Sequence, residues 1–204
     1  MSNTASFWAG ADPAGIGGFG IAFLYKNGDV KCKTVSSVDQ AMESISKQGT
    51  PSALGIDARM WWSTGEGGGR MVDQQLREKY GIHPGTVQSA NSLKGAALVG
   101  GALLADRIRE HNQDFPITES HPKALLKALY KDDWEVFAET HNIPAENCWT
   151  NEHERDALIA AVCAREGFDG KWKFDLSQDR YDTEQNPGNY WLAPMKYFWP
   201  ESLV

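Results

Sequence analysis

Short apolar runs ending in polar or glycine-rich turns alternate along this chain with segments whose apolar residues recur every three or four positions. Residues 6–11 (SFWAGA) read as a first strand, ending at Asp12. A turn rich in glycine leads to a second strand over 19–24, and Asn27-Gly28 is a hairpin signal. The chain then returns through a third strand over 30–35. Val38, Ala41, Met42 and Ile45 recur at helical spacing over 37–47, and Gly49-Thr50-Pro51 stops that helix. A short buried strand over 53–56 ends at Asp57. Beyond a polar segment that contains Trp61, Trp62 and a glycine run, helices are expected over 70–80 and 92–111. A fifth strand over 115–118 ends at Glu119, with Pro122 suited to the first turn of the next helix. Residues 131–141 read as helical again, and Thr150-Asn151 caps a helix running to Arg165. In the tail, 172–174 and 190–192 are candidate short strands.

The order β-β-β-α-β-α-α-β-α-α predicts an α/β fold. Its five-stranded mixed sheet opens as a three-strand antiparallel meander, continues with parallel strands and is flanked by helices. The expected organisation is a single domain over 1–204, with a helical insertion at about 70–111 and an aromatic-rich C-terminal extension at about 168–204.

Composition narrows the function classes. With 20 Lys and Arg against 27 Asp and Glu the net charge is −7, the reverse of the balance that grips long duplex DNA through its phosphates. A nucleic-acid role therefore needs a local surface or a short substrate, whereas a metal enzyme brings its own positive charge. No apolar stretch approaches the roughly 18–20 residues of a membrane span. The first residues lack the basic start and apolar centre of a signal peptide. Cys32, Cys148 and Cys163 are odd in number and widely spaced, so the expected setting is cytoplasmic, with reduced thiols and no membrane partner.

The candidate chemistry lies in four acids at the ends of apolar runs: Asp12, Asp57, Glu119 and, opening a late helix, Asp156. Carboxylates converging on hard cations such as Mg²⁺ or Mn²⁺ are what metal-assisted phosphoryl transfer requires. Adjacent strands lie about 4.8 Å apart, so acids at matching parallel strand ends can share an ion. Asp156 heads a stripe of small residues, Ala160 and Cys163/Ala164, that lets its helix lie close to the sheet. Asp12 before Pro13, and Asp57 before Ala58-Arg59, can equally serve as turn formers. Glu119 is harder to read that way.

GADPAG around Asp12, GIDAR around Asp57, ITESHP around Glu119 and RDALIAA around Asp156 resemble the motifs of the domain-of-unknown-function family 429, predicted ribonuclease-H-like nucleases. GGGRMVDQQLR resembles that family's Arg-x-x-Asp-x-x-x-Arg helix. The resemblance implies a ribonuclease-H-like fold and a two-metal phosphodiesterase or nuclease, with Asp12, Asp57, Glu119 and Asp156 as metal ligands and catalytic residues. Two departures stand out: Ala14 is inserted before Gly15, and Arg59 takes a place often held by an uncharged residue.

Four further residues are candidates for binding a nucleic-acid or nucleotide substrate. Arg70 and Arg77 share a helix face with Asp73 and can meet a phosphate, or form a solvated salt-bridge stripe. Trp61 can stack on a base or pack as a lid. His121 can contact a phosphate or cap a helix. Glu152 and His153 can join the metal shell or complement the helix dipole. The alternative to an enzyme is a non-catalytic nucleotide- or protein-binding module that keeps the same fold.

Overall fold

The computed structural model describes residues 6–15, 17–63, 69–89, 92–110, 112–146, 148–181, 188–190 and 195–203. Strands β1 (Phe7–Asp12), β2 (Phe19–Tyr25) and β3 (Val30–Val35) form the antiparallel meander. Its second turn spans Lys26 to Gly28, one residue longer than the expected hairpin. The Tyr25 N–H donates to Asp29 O at 2.9 Å, and Gly28 supplies the left-handed φ of 92°. After helix α1 (Val38–Gln48), capped by Ser37, strand β4 (Leu54–Ile56) lies parallel to β1. Strand β6 (Ile117–Glu119) lies parallel to β4, completing a five-stranded sheet in the order β3-β2-β1-β4-β6. This is the five-stranded mixed sheet read from the sequence, an antiparallel meander continued by parallel strands.

The chain between β4 and β6 contributes β5 (Trp61–Ser63), α2 (Met71–Tyr80) and α3 (Gly95–Arg109). Strand β5 falls where a loop was expected. It pairs antiparallel with β8 (Gly188–Tyr190), a partner far along the chain that local pattern cannot reveal. Helix α3 starts later than 92 because Lys94 is extended (φ −61°, ψ 130°). His111, the other expected bound of that helix, and most of the glycine run after Trp62 lie outside the described residues.

Beyond β6 come α4 (Pro122–Leu129), α5 (Trp134–Thr140) and α6 (Glu152–Phe168). Helix α5 cannot begin at 131, because Lys131 and Asp132 take left-handed φ values of 56° and 60° before Asp133 caps it. The tail forms β7 (Phe174–Asp175), a 3-10 helix (Leu176–Tyr181) and β9 (Phe198–Trp199), and β7 pairs with β9. Residues 191 and 192 of the other expected tail strand lie outside the described set. Just before β9, Lys196 bridges in parallel to Thr118, its N–H donating to Ile117 O and its carbonyl accepting from Glu119 N. The tail thus covers the open edge of β6.

Helix α6 is buried along nearly its whole length, against β1, β2 and β4. Its approach depends on three glycines in the strands. A Cβ at Gly10 would sit 1.9 Å from Ala157 O, one at Gly55 1.9 Å from Ala160 O, and one at Gly20 2.0 Å from His153 O. The opposite face carries Ile56, against Gly101 of α3. Among the described residues no helix is long and apolar enough to cross a membrane.

Replacing Gly10 or Gly55 by Ala should destabilise the protein by about 3 kcal/mol, because a backbone carbonyl and not a flexible side chain must move. Urea unfolding measures this, and a loss comparable with an ordinary surface substitution would contradict the packing described.

Candidate metal centre

In a strand, successive side chains point to opposite faces. Ala11 of β1 is in register with Ile56 of β4, which is in register with Glu119 of β6. One residue further on, the Asp57 N–H donates to Ala11 O and the Ser120 N–H donates to Ile56 O, both at 2.8 Å. Asp12, which ends β1, and Asp57 and Ser120, each one residue beyond β4 and β6, therefore occupy equivalent register positions. They share the α6 face with Gly10 and Gly55. Glu119 shares the other face with Ala11 and Ile56.

Helix α6 delivers the third acid. Asn151 caps it by accepting the Glu154 N–H at 3.1 Å, which sets the first turn over the strand ends. Asp156 follows one turn later. Asp12, Asp57 and Asp156 each offer a carboxylate oxygen, and the three oxygens lie within 4.8 Å of one another. This buried acidic cluster could hold a metal ion: its donors are hard anionic oxygens, which suit Mg²⁺, Mn²⁺ or Ca²⁺.

The electrostatics of the cluster are those of charges lacking enough counter-charge. Burial, reinforced by Asp156, pushes the Asp12 carboxyl up to about 8. Burial also raises Asp57, with Asp12 and Asp156 adding to the effect. Asp156 is raised by burial as well, although Arg155 and Lys123 oppose the shift. Arg155 donates through Nε and Nη2 to Asp156 Oδ1 at 2.9 and 2.7 Å. Lys123 of α4 stands at the rim, 3.2 Å from Glu152 and 3.8 Å from Asp156. His153 Nδ1 lies 2.7 Å from Asp12 Oδ2, so that ring orients a carboxylate of the cluster. Glu152 pairs with Lys123. The three acids border an open cleft of about 400 Å³, whose other walls include Gly15, Gly18, Leu93, Ala97, Lys94 and Lys123.

Glu119 has different company. Arg70 grips it with two parallel bonds, Nη2 to Oε1 at 2.7 Å and Nη1 to Oε2 at 2.9 Å. The same guanidinium reaches Asp73 through Nε and Nη2, both at 2.8 Å. Arg59 lies 3.5 Å from both acids. The Met60 N–H adds a bond to Glu119 at 3.0 Å. All four charged groups are at most 3% exposed, two cations against two anions. Although burial alone would raise the Asp73 carboxyl, Arg59 and Arg70 hold it at about 2.

The remaining substrate candidates are drawn into this network. The Trp61 ring lies under the Arg70 guanidinium, 4.0 Å from ring centroid to Cζ, and is itself buried. His121 is held between Arg59 and Thr86 O, and burial followed by the Arg59 charge lowers its pKa. Arg77 donates to Val87 O at 2.9 Å, bracing the loop after α2. Arg70 and Trp61 thus sit inside the protein, whereas His121 reaches the cleft wall. Sequence reasoning passed over Lys123 and Arg155. Their signal was weak: each merely neighbours a motif residue.

Known proteins add nothing to this geometry: no protein-family model, curated protein or solved structure matches the chain.

Two predictions separate the clusters. Glu119→Ala leaves Arg59 and Arg70 buried with one anion between them, and should cost about 3–5 kcal/mol in urea unfolding. A fully stable Glu119→Ala protein that had lost Mn²⁺ binding would instead tie Glu119 to the metal. The second concerns pH. Between about 4 and 8 the folded protein keeps a proton on Asp12 that the unfolded chain releases. Stability of the metal-free protein should therefore fall as pH rises across that window. Saturating Mn²⁺ should flatten the slope, since the ion replaces the proton as the neutralising charge. Thermal unfolding in EDTA and in Mn²⁺ from pH 5 to 8 reads both, and an apo Tm that rises with pH would contradict the assignment.

Proposed function

We propose that the chain is a divalent-metal-dependent phosphodiesterase acting on nucleic acid or a nucleotide, with Mg²⁺ or Mn²⁺ held by Asp12, Asp57 and Asp156. The observation that carries this reading is the convergence of three carboxylate oxygens within 4.8 Å at the floor of an open cleft. The motif resemblance to family 429, carried by the segments around these same acids, points the same way. A bound ion of this kind supplies a Lewis acid for a phosphoryl oxygen and a water acidified toward neutral pH.

The chain's own residues supply binding and orientation. His153 holds Asp12 in place through its 2.7 Å contact. Lys123, half-exposed at the rim, is placed to bind a phosphoryl oxygen, and Lys94 offers a second cation on the same cleft. Leu93 and Ala97 make an apolar stretch of wall against which a base can rest. Two lysines and a net charge of −7 favour a short nucleotide or a strand end over a long duplex.

Asp57→Asn removes one anionic ligand oxygen while keeping the side-chain shape. It should lower Mn²⁺-dependent hydrolysis at least a hundredfold across a panel of bis(p-nitrophenyl) phosphate, dinucleotides, single strands and duplexes. The circular dichroism spectrum should stay that of the wild type. Undiminished hydrolysis by that variant would sink the reading. Mn²⁺ binding by the wild type with no turnover on any substrate would assign the chain as a binding module instead.

A further inference from the structure

We propose that Ser120 supplies a fourth, neutral oxygen to the ion held by Asp12, Asp57 and Asp156. This inference rests on the metal-centre reading above. It arises from the parity of β6. Asp57 and Ser120 make the same backbone step, each N–H donating at 2.8 Å to the carbonyl of the neighbouring strand one register position earlier. Glu119 is committed by its bonds to Arg70 and Met60 N to the opposite face. Strand alternation then turns the next side chain, Ser120, toward Asp57, one strand spacing away.

The second observation is independent of the acids. Ser120 is 1% exposed, and its Oγ has no hydrogen-bond partner among the described residues. A buried hydroxyl without a partner is destabilising, and folded proteins rarely leave one so. Neighbouring hydroxyls are satisfied: Thr118 Oγ1 donates to Glu119 O at 2.8 Å and accepts the Phe198 N–H at 3.2 Å. A divalent ion between Asp57 and its strand neighbour gives Ser120 Oγ the partner it lacks. Serine and threonine hydroxyls are established ligands for Mg²⁺ alongside carboxylates in phosphoryl-transfer sites. A neutral fourth ligand also suits a site that already gathers three anions, because a fourth carboxylate would add repulsion that the ion must overcome.

The test reads metal binding and not turnover. Mn²⁺ affinity is measured by electron paramagnetic resonance titration of the whole chain, wild type against Ser120→Ala, Ser120→Thr and Ser120→Cys, with Asp57→Asn as the reference loss. Ser120→Ala should weaken Mn²⁺ binding about tenfold, with its melting temperature in EDTA no lower than wild type. Ser120→Thr, which keeps the hydroxyl, should restore affinity to within threefold. Ser120→Cys should favour Cd²⁺ over Mn²⁺ by at least tenfold relative to wild type, because a thiolate prefers the softer ion. Wild-type Mn²⁺ binding that is lost in Asp57→Asn but unchanged in Ser120→Ala overturns this inference and leaves the metal centre standing. No Mn²⁺ binding by the wild type overturns both.

Discussion

The close seating of α6 on the sheet is the constraint on which the rest of the molecule depends. Helix and sheet normally keep the separation that side chains impose, yet here backbone carbonyls of α6 occupy the volume a Cβ would need at Gly10, Gly20 and Gly55. The helix meets the sheet with Ala157, Ala160, Ala161 and Ala164, all fully buried. Only that depth brings a carboxylate on α6 to the ends of β1 and β4. With larger residues in the strands, Asp156 would stand off from Asp12 and Asp57 and the cluster would not form.

The sheet has two faces, and each handles charge in its own way. On the α2 and α3 side, Arg59, Arg70, Asp73 and Glu119 balance two against two, with bidentate geometry and aromatic rings of Trp61 and Tyr197 packed around Arg70. Such a network is closed: every charge has its partner, and its work is to tie α2, β6 and the segment after β4 together. On the α6 side, three acids share Arg155 and a half-exposed Lys123. That deficit of positive charge opens onto a cleft. Burying like charges together is unfavourable unless a cation joins them, so one face is balanced within itself and the other could hold a metal ion.

The tail couples the two arrangements. Lys196 extends the sheet beyond β6 by accepting the Glu119 N–H, which fixes the backbone from which Glu119 and Ser120 diverge. Tyr197 then enters the Arg70 cluster, and Trp199 bonds to Tyr80 at the end of α2. Phe198 packs so tightly on Gly167 that a Cβ there would overlap its ring. This aromatic-rich segment is therefore part of the frame behind the site.

What the sequence determined by itself was the five strands of the main sheet, most of the helices, and the three acids that meet among the four singled out. Apolar periodicity, the Asn151 cap and the Gly81 stop are local signals, and local energetics largely settles such elements wherever they lie. Asp12, Asp57 and Asp156 could be gathered because strand ends and a small-residue helix face are readable patterns. Tertiary structure alone decided the fate of Glu119. Whether a strand-end residue faces the site turns on register, and a step of one residue moves a side chain to the opposite face. Register is set by hydrogen bonds between β4 and β6, which are separated by sixty residues of chain. The pairing of Glu119 with Arg70, and of β5 with β8, likewise rests on distant partners. So an acid expected to join the cluster pairs with Arg70 and Arg59 in the core instead, and the position beside Asp57 falls to Ser120.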